Sequence, residues 1–176
     1  MKTIVLTLIG EDRPGLVGEV AALVAGHGGS WVESRMAHLA GQFAGILRVR
    51  VADEVADDLG EVLRDLGKVG LTVTVVGAEE PEVEERGKKT VVLEVVGQDR
   101  AGIVAEVARV LREKGVNVEE LKTECGSAPM SGEMLFTARA TLSVPAGVGL
   151  GELRAAFEDV AADLMVDVTL DEDALA

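Results

Sequence analysis

Tyrosine is absent from this 176-residue chain, and its only aromatics are Trp31, Phe43, Phe136 and Phe157. So few rings leave no material for a base-stacking platform, and the cores must be built from Val, Leu, Ile and Ala. Cys125 is the lone cysteine. That excludes an intrachain disulfide and a cysteine-clustered metal site. Basic residues are scarce too, 17 against 31 acidic ones, for a net charge of −14. The deficit is even, −7 through Gly87 and −7 beyond it. No basic stripe offsets the repulsion that a phosphate backbone would meet. Direct nucleic-acid binding is therefore not expected, whereas a basic protein partner suits the charge. Long apolar runs are also missing. The opening MKTIVLTLIGEDR is too short and too soon charged for a signal peptide or a membrane span. A cytoplasmic protein without membrane contact is expected.

Glycine is plentiful, and its placement carries the information. The run Gly10, Glu11, Asp12, Arg13, Pro14, Gly15 returns as Gly97, Gln98, Asp99, Arg100, Ala101, Gly102, 87 residues later. Each copy follows a strand pattern (residues 3–9 and 90–96) and opens a helix pattern (16–25 and 103–113). A strand pair follows in each half (30–38 with 43–51, and 117–124 with 134–144). A second amphipathic helix (53–66 and 150–164) and a closing strand (71–76 and 165–170) complete the order βαββαβ. The fold class predicted is α+β: two ferredoxin-like units, each a four-stranded antiparallel sheet with two helices on one face. Domains are expected at 1–77 and 89–171, joined by an acidic linker at 78–88 and followed by a short tail at 172–176. One departure from the repeat is a longer loop, residues 126–132, between the second pair of middle strands; it contains Pro129 and Met130. Apolar residues on both sides of the first strand of each unit suggest sheet contact between domains or subunits, and a homo-oligomer is expected.

The loop residues have two readings. Gly10 permits a tight exit from the strand, Asp12 is placed to cap helix amides, Pro14 presets the first turn, and Gly15 permits close approach. These roles can simply build a turn. Equally, a free helix N-terminus offers amides and a positive dipole end to a carboxylate, with Arg13 adding a charge-assisted contact. The spacing is neither a dinucleotide fingerprint nor a phosphate loop. His27 and His38 lack a Ser, Cys or acidic pattern that would make them catalytic. Two isolated histidines and scattered carboxylates do not make a metal site. Cys125 reads as structural or incidental, and Trp31, whose repeat counterpart is Val118, as a packing residue. No cofactor is called for, and no set of residues names a reaction.

Taken together, GEDRPGLVGEVAALVAGHG with SWVESRMAHLAGQF, and GQDRAGIVAEVARVLREKGVNVEEL with the loop from Ser127 to Gly132, resemble tandem ACT-domain proteins of the glycine cleavage system transcriptional repressor type. The resemblance covers nearly the whole chain. It implies a non-catalytic regulator that binds a small amino acid, glycine among the options, at the strand–helix loops and acts through a partner transcription regulator. It also implies Asn117 as a ligand-binding candidate, with Ser30 at the equivalent position of the first unit. Pro14 against Ala101 and Ser30 against Asn117 make two identical sites unexpected. The competing class is a constitutive interaction module whose loops are purely structural.

Overall fold

In the computed structural model the chain is described over residues 1–78, 87–128 and 132–172. β1 (Lys2–Glu11) alternates as its sequence dictates: Ile4, Leu6 and Leu8 are buried, while Thr7 and Ile9 are exposed. α1 (Leu16–Gly26) buries Leu16, Val20 and Val24, with Leu23 packed at the edge of the same cluster. The hairpin β2 (Ser30–Leu39) and β3 (Gln42–Val51) follows, then α2 (Ala56–Asp65) and β4 (Leu71–Ala78). The sheet order is β2-β3-β1-β4, antiparallel throughout. Leu59 and Leu63 of α2 close the core against Leu47, Val49 and Val51 of β3. Each such fully buried aliphatic side chain contributes about 1.5–3 kcal/mol.

The second unit repeats the plan with β5 (Lys89–Gln98), α3 (Ile103–Glu113), β6 (Asn117–Ser127), β7 (Met134–Val144), α4 (Leu150–Leu164) and β8 (Val166–Glu172). Its sheet order is β6-β7-β5-β8. Its core joins Val91, Leu93 and Val95 to Ile103, Val110 and Leu111 of α3 and to Leu153, Phe157 and Val160 of α4. The correspondence extends to an irregularity. A register shift falls between Trp31 and Glu33 in β2 and between Val118 and Glu120 in β6, the same place in the repeat.

Element ends differ from expectation for local reasons. The helix predicted at 53–66 is α-helical only from Ala56 to Asp65, with 3₁₀ turns at Asp53–Val55 and Leu66–Val69. Such tightening satisfies the unpaired groups at helix ends. Met165, expected to begin the last strand, is the left-handed cap of α4 at φ 53°. β6 runs on through Ser127, β4 includes Ala78, and β8 includes Glu172. Of the predicted linker, residues 79–86 lie outside the described residues, as do Pro129 and Met130 and tail residues 173–176. The ends of the second middle loop are joined by backbone hydrogen bonds, Ala128 N to Glu133 O (2.8 Å) and Gly132 N to Ala128 O (3.1 Å).

Candidate functional site

The two glycine loops occupy the same place in each unit, at the end of the central strand beside the turn of the middle strand pair. Gly10 stands opposite Phe43, itself opposite His38; Gly97 stands opposite Phe136, itself opposite Cys125. The first glycine of each motif is demanded by close packing. A Cβ on Gly10 would lie 2.4 Å from the Gly70 carbonyl oxygen, and one on Gly97 would lie 2.6 Å from Val166 Cγ1 and 3.0 Å from the Met165 carbonyl oxygen. The last glycine is demanded by conformation: Gly15 and Gly102 are both helix N-caps at φ 98°, with open space where a Cβ would stand. The expected roles of the two glycines are thus exchanged. The tight approach belongs to Gly10, and the unusual backbone to Gly15.

Asp12 does not cap the helix. The N-caps are glycines, so neither α1 nor α3 has a side-chain cap, and the first-turn amides lack intrahelical acceptors by construction. The Asp12 amide instead donates to Gly41 O at 2.9 Å, and the Asp99 amide to Met134 O at 3.0 Å, tying each loop to the start of the third strand of its unit. Pro14 precedes the N-cap rather than entering the first turn. Asp12 Oδ2 lies 3.8 Å from His38 Nε2. In the second unit the equivalent pair is Asp99 and Cys125. There, local desolvation and then the charge and hydrogen bonding of the Asp99 carboxylate push the exposed thiol above its ordinary range.

Arg13 makes a two-pronged contact with Glu19, Nη1 to Oε1 at 2.5 Å and Nη2 to Oε2 at 2.8 Å. Hydrogen bonding to Arg13 holds the Glu19 carboxyl below the usual carboxylate range. Arg100 is placed differently: its Nη2 lies 4.0 Å from Met165 Sδ. Glu106, the counterpart of Glu19, is taken instead by Arg109 Nε at 2.9 Å, and Arg109 also holds Glu113 through Nη1 at 2.8 Å. Glu11 and Gln98 are exposed at the strand ends, as is Ala101 before its N-cap.

The remaining candidates are not at this end of either sheet. Ser30 pairs with Arg50, which pairs with Thr3; Gly10 is seven rows from Thr3 along β1, about 24 Å at strand rise. Asn117 holds the matching place opposite Ser143, and its Nδ2 donates to Glu119 Oε1 at 2.7 Å. Within one unit neither residue reaches the loop. His27 lies at that far end as well, its Nδ1 2.8 Å from Leu23 O and its Nε2 3.2 Å from Asp58 Oδ2. Sequence reading missed His38, Glu19, Glu106 and Arg109 as loop neighbours. The signal for His38 was present, since it stands 87 residues before Cys125. Among the described residues no group of three or more His, Cys, Asp or Glu gathers as a metal site, and no helix is long and apolar enough to cross a membrane.

Two antiparallel four-stranded sheets carrying duplicated strand–helix loops define a tandem of ferredoxin-like units. The ACT domain profile matches residues 2–76 and again 89–171, and the chain belongs to the ACT domain family. A curated relative is phosphoserine phosphatase SerB2 of Mycobacterium tuberculosis (strain ATCC 25618 / H37Rv), 28% identical over 181 residues. The match covers 99% of this chain but only 42% of that protein. Among solved structures, an unknown protein from Galdieria sulphuraria superposes with a TM-score of 0.85 at 29% identity, over 97% of this chain and 98% of that one. A protein named as a glycine cleavage system transcriptional repressor has the same fold, at TM-score 0.70 and 21% identity, over 97% of this chain and 96% of its own.

Proposed function

We propose that this chain senses a small amino acid, glycine foremost, and passes the signal to a protein partner engaged in transcriptional control. One observation carries the reading: a Gly-x-Asp-Arg-x-Gly loop occurs twice with the same backbone, ending each time in a glycine N-cap at φ 98° and leaving the helix amides without a side-chain cap. A zwitterionic amino acid complements that arrangement. Its carboxylate suits the amides, the positive helix end and the loop arginine, and its ammonium suits the loop aspartate. The ligand changes the partner's affinity only by binding its two states unequally. The name of the fold relative supports glycine and transcriptional control. The phosphatase relative supports a second reading, with serine as ligand and an enzyme as partner.

Exposed Ile9, Ile46 and Val76 stand on the sheet face away from the helices. They support association with a second copy, which light scattering on the purified chain would measure. Calorimetry of the pure, folded chain against a panel of amino acids tests sensing itself. Heat with glycine or serine and none with large side chains is the expected result. Silence across the panel would reject sensing in favour of a constitutive interaction module.

A further inference from the structure

The two loops share a sequence but not their surroundings. Resting on the sensing reading above, we infer that the second loop receives the amino acid and that the first is a self-satisfied latch. The assignment turns on three pairs of equivalent positions. Arg13 is engaged on both terminal nitrogens by Glu19. Arg100 has no carboxylate partner among the described residues, because Arg109 draws Glu106 away from it. The first unit has Ala22 where the second has Arg109, so nothing competes with Arg13 for Glu19. A single substitution one turn along the helix therefore decides whether the loop guanidinium is free for a ligand carboxylate.

The second pair concerns the ammonium. Asp12 faces His38 across 3.8 Å, whereas Asp99 faces the thiol of Cys125, a neutral group that leaves its charge uncompensated. The third is Glu11 against Gln98. Counting the loop and its helix partner, the first site gathers Glu11, Asp12 and Glu19 around one engaged arginine. The second holds one aspartate and one free arginine, the charge pattern of a zwitterion's complement. Both sites are exposed, so each difference is modest alone. Together they weaken the first loop by about tenfold relative to the second.

The experiment is calorimetry on the full chain with glycine, serine and alanine as probes, beside amide shift mapping by NMR along a glycine titration. One equivalent per chain is expected at glycine concentrations that fill the second loop, the first filling only at about tenfold more, so that shifts at Gly102, Ile103 and Val104 precede those at Gly15, Leu16 and Val17. Arg100→Gln should cut the affinity by about tenfold, to the level of the first loop, and Arg13→Gln should change it far less. Arg109→Ala releases Glu106 to Arg100 and should weaken binding severalfold without touching the loop. The double variant Glu19→Gln with His38→Cys should open a second equivalent. Two equal sites, or shifts confined to the first loop, would overturn the assignment and leave sensing intact. Absence of heat and of shifts with every probe would overturn both.

Discussion

At the residue scale, the positions that matter most are those where a backbone demand leaves one choice. Gly10 is one, because its missing Cβ is the space occupied by the Gly70 carbonyl. Gly10→Ala should cost about 1–3 kcal/mol in denaturant unfolding, the usual penalty when backbone must shift to admit a methyl group. Ala40 is the reverse case. With Gly41 it forms the two-residue turn between β2 and β3, at φ 50° and 80°, a geometry that suits Asn-Gly or Gly-Gly. Ala40→Asn should therefore raise stability by about 0.5–1 kcal/mol, readable as a higher midpoint. Cys125 offers a chemical test of loop geometry. Since the Asp99 carboxylate helps push its thiol up, Asp99→Asn should lower the thiol's pKa and speed alkylation by iodoacetamide at pH 8. An unchanged rate would mean that the carboxylate does not govern the thiol. Glu19 titrates below the usual carboxylate range because Arg13 donates to it. The pair thus contributes above the unfolded carboxyl pKa and is lost as pH falls through the folded one. Arg13→Gln should move the Glu19 carboxyl titration upward by NMR.

At the element scale, the two units solve one packing problem in different ways. In the first, half-buried Trp31 packs against the core cluster and its Nε1 donates to Ser34 Oγ at 3.2 Å. In the second, Val118 and Leu121 hold those places, and an apolar cavity of about 40 Å³ opens between α3 and β6, lined among others by Val104, Val107, Val118 and Leu121. Trp31→Val should open the same cleft in the first unit and cost about 1–3 kcal/mol, less than a fully buried tryptophan would. A loss near zero would show that Trp31 rests on the surface. Periodicity revealed these elements because their apolar faces recur at two or 3.6 residues, as in Ile4, Leu6 and Leu8. It did not reveal the 3₁₀ turns flanking α2 or the left-handed Met165, since those are settled by how a helix end meets the next strand. Nor did it show that Ser30 and Asn117 lie at the far end of their sheets. That follows from strand pairing, which local sequence does not encode.

At the scale of the whole molecule, a net charge of −14 is the dominant property. Fluorescence anisotropy with duplex DNA at about 150 mM salt should show no binding, because nothing repays the repulsion. The proposed partner then meets this surface with basic residues, and its affinity should fall as salt rises. Solubility should be lowest as pH approaches the isoelectric point near 4.5, where self-repulsion vanishes.

The amino-acid sequence alone determined the two-unit plan, the elements and the loop that recurs after 87 residues. Repetition, apolar period and glycine placement are local quantities, and the fold follows from burying those faces. Only tertiary structure decided what each loop residue does. Gly10 and Gly15 exchanged roles, Asp12 turned to the hairpin instead of the helix, and Arg13 and Arg100 parted company over Glu19 and Glu106. These outcomes depend on which side chains converge across β1, α1 and β2, or β5, α3 and β6. Distances between elements arise from pairing and packing, so identical motifs acquire different chemistry when their neighbours differ.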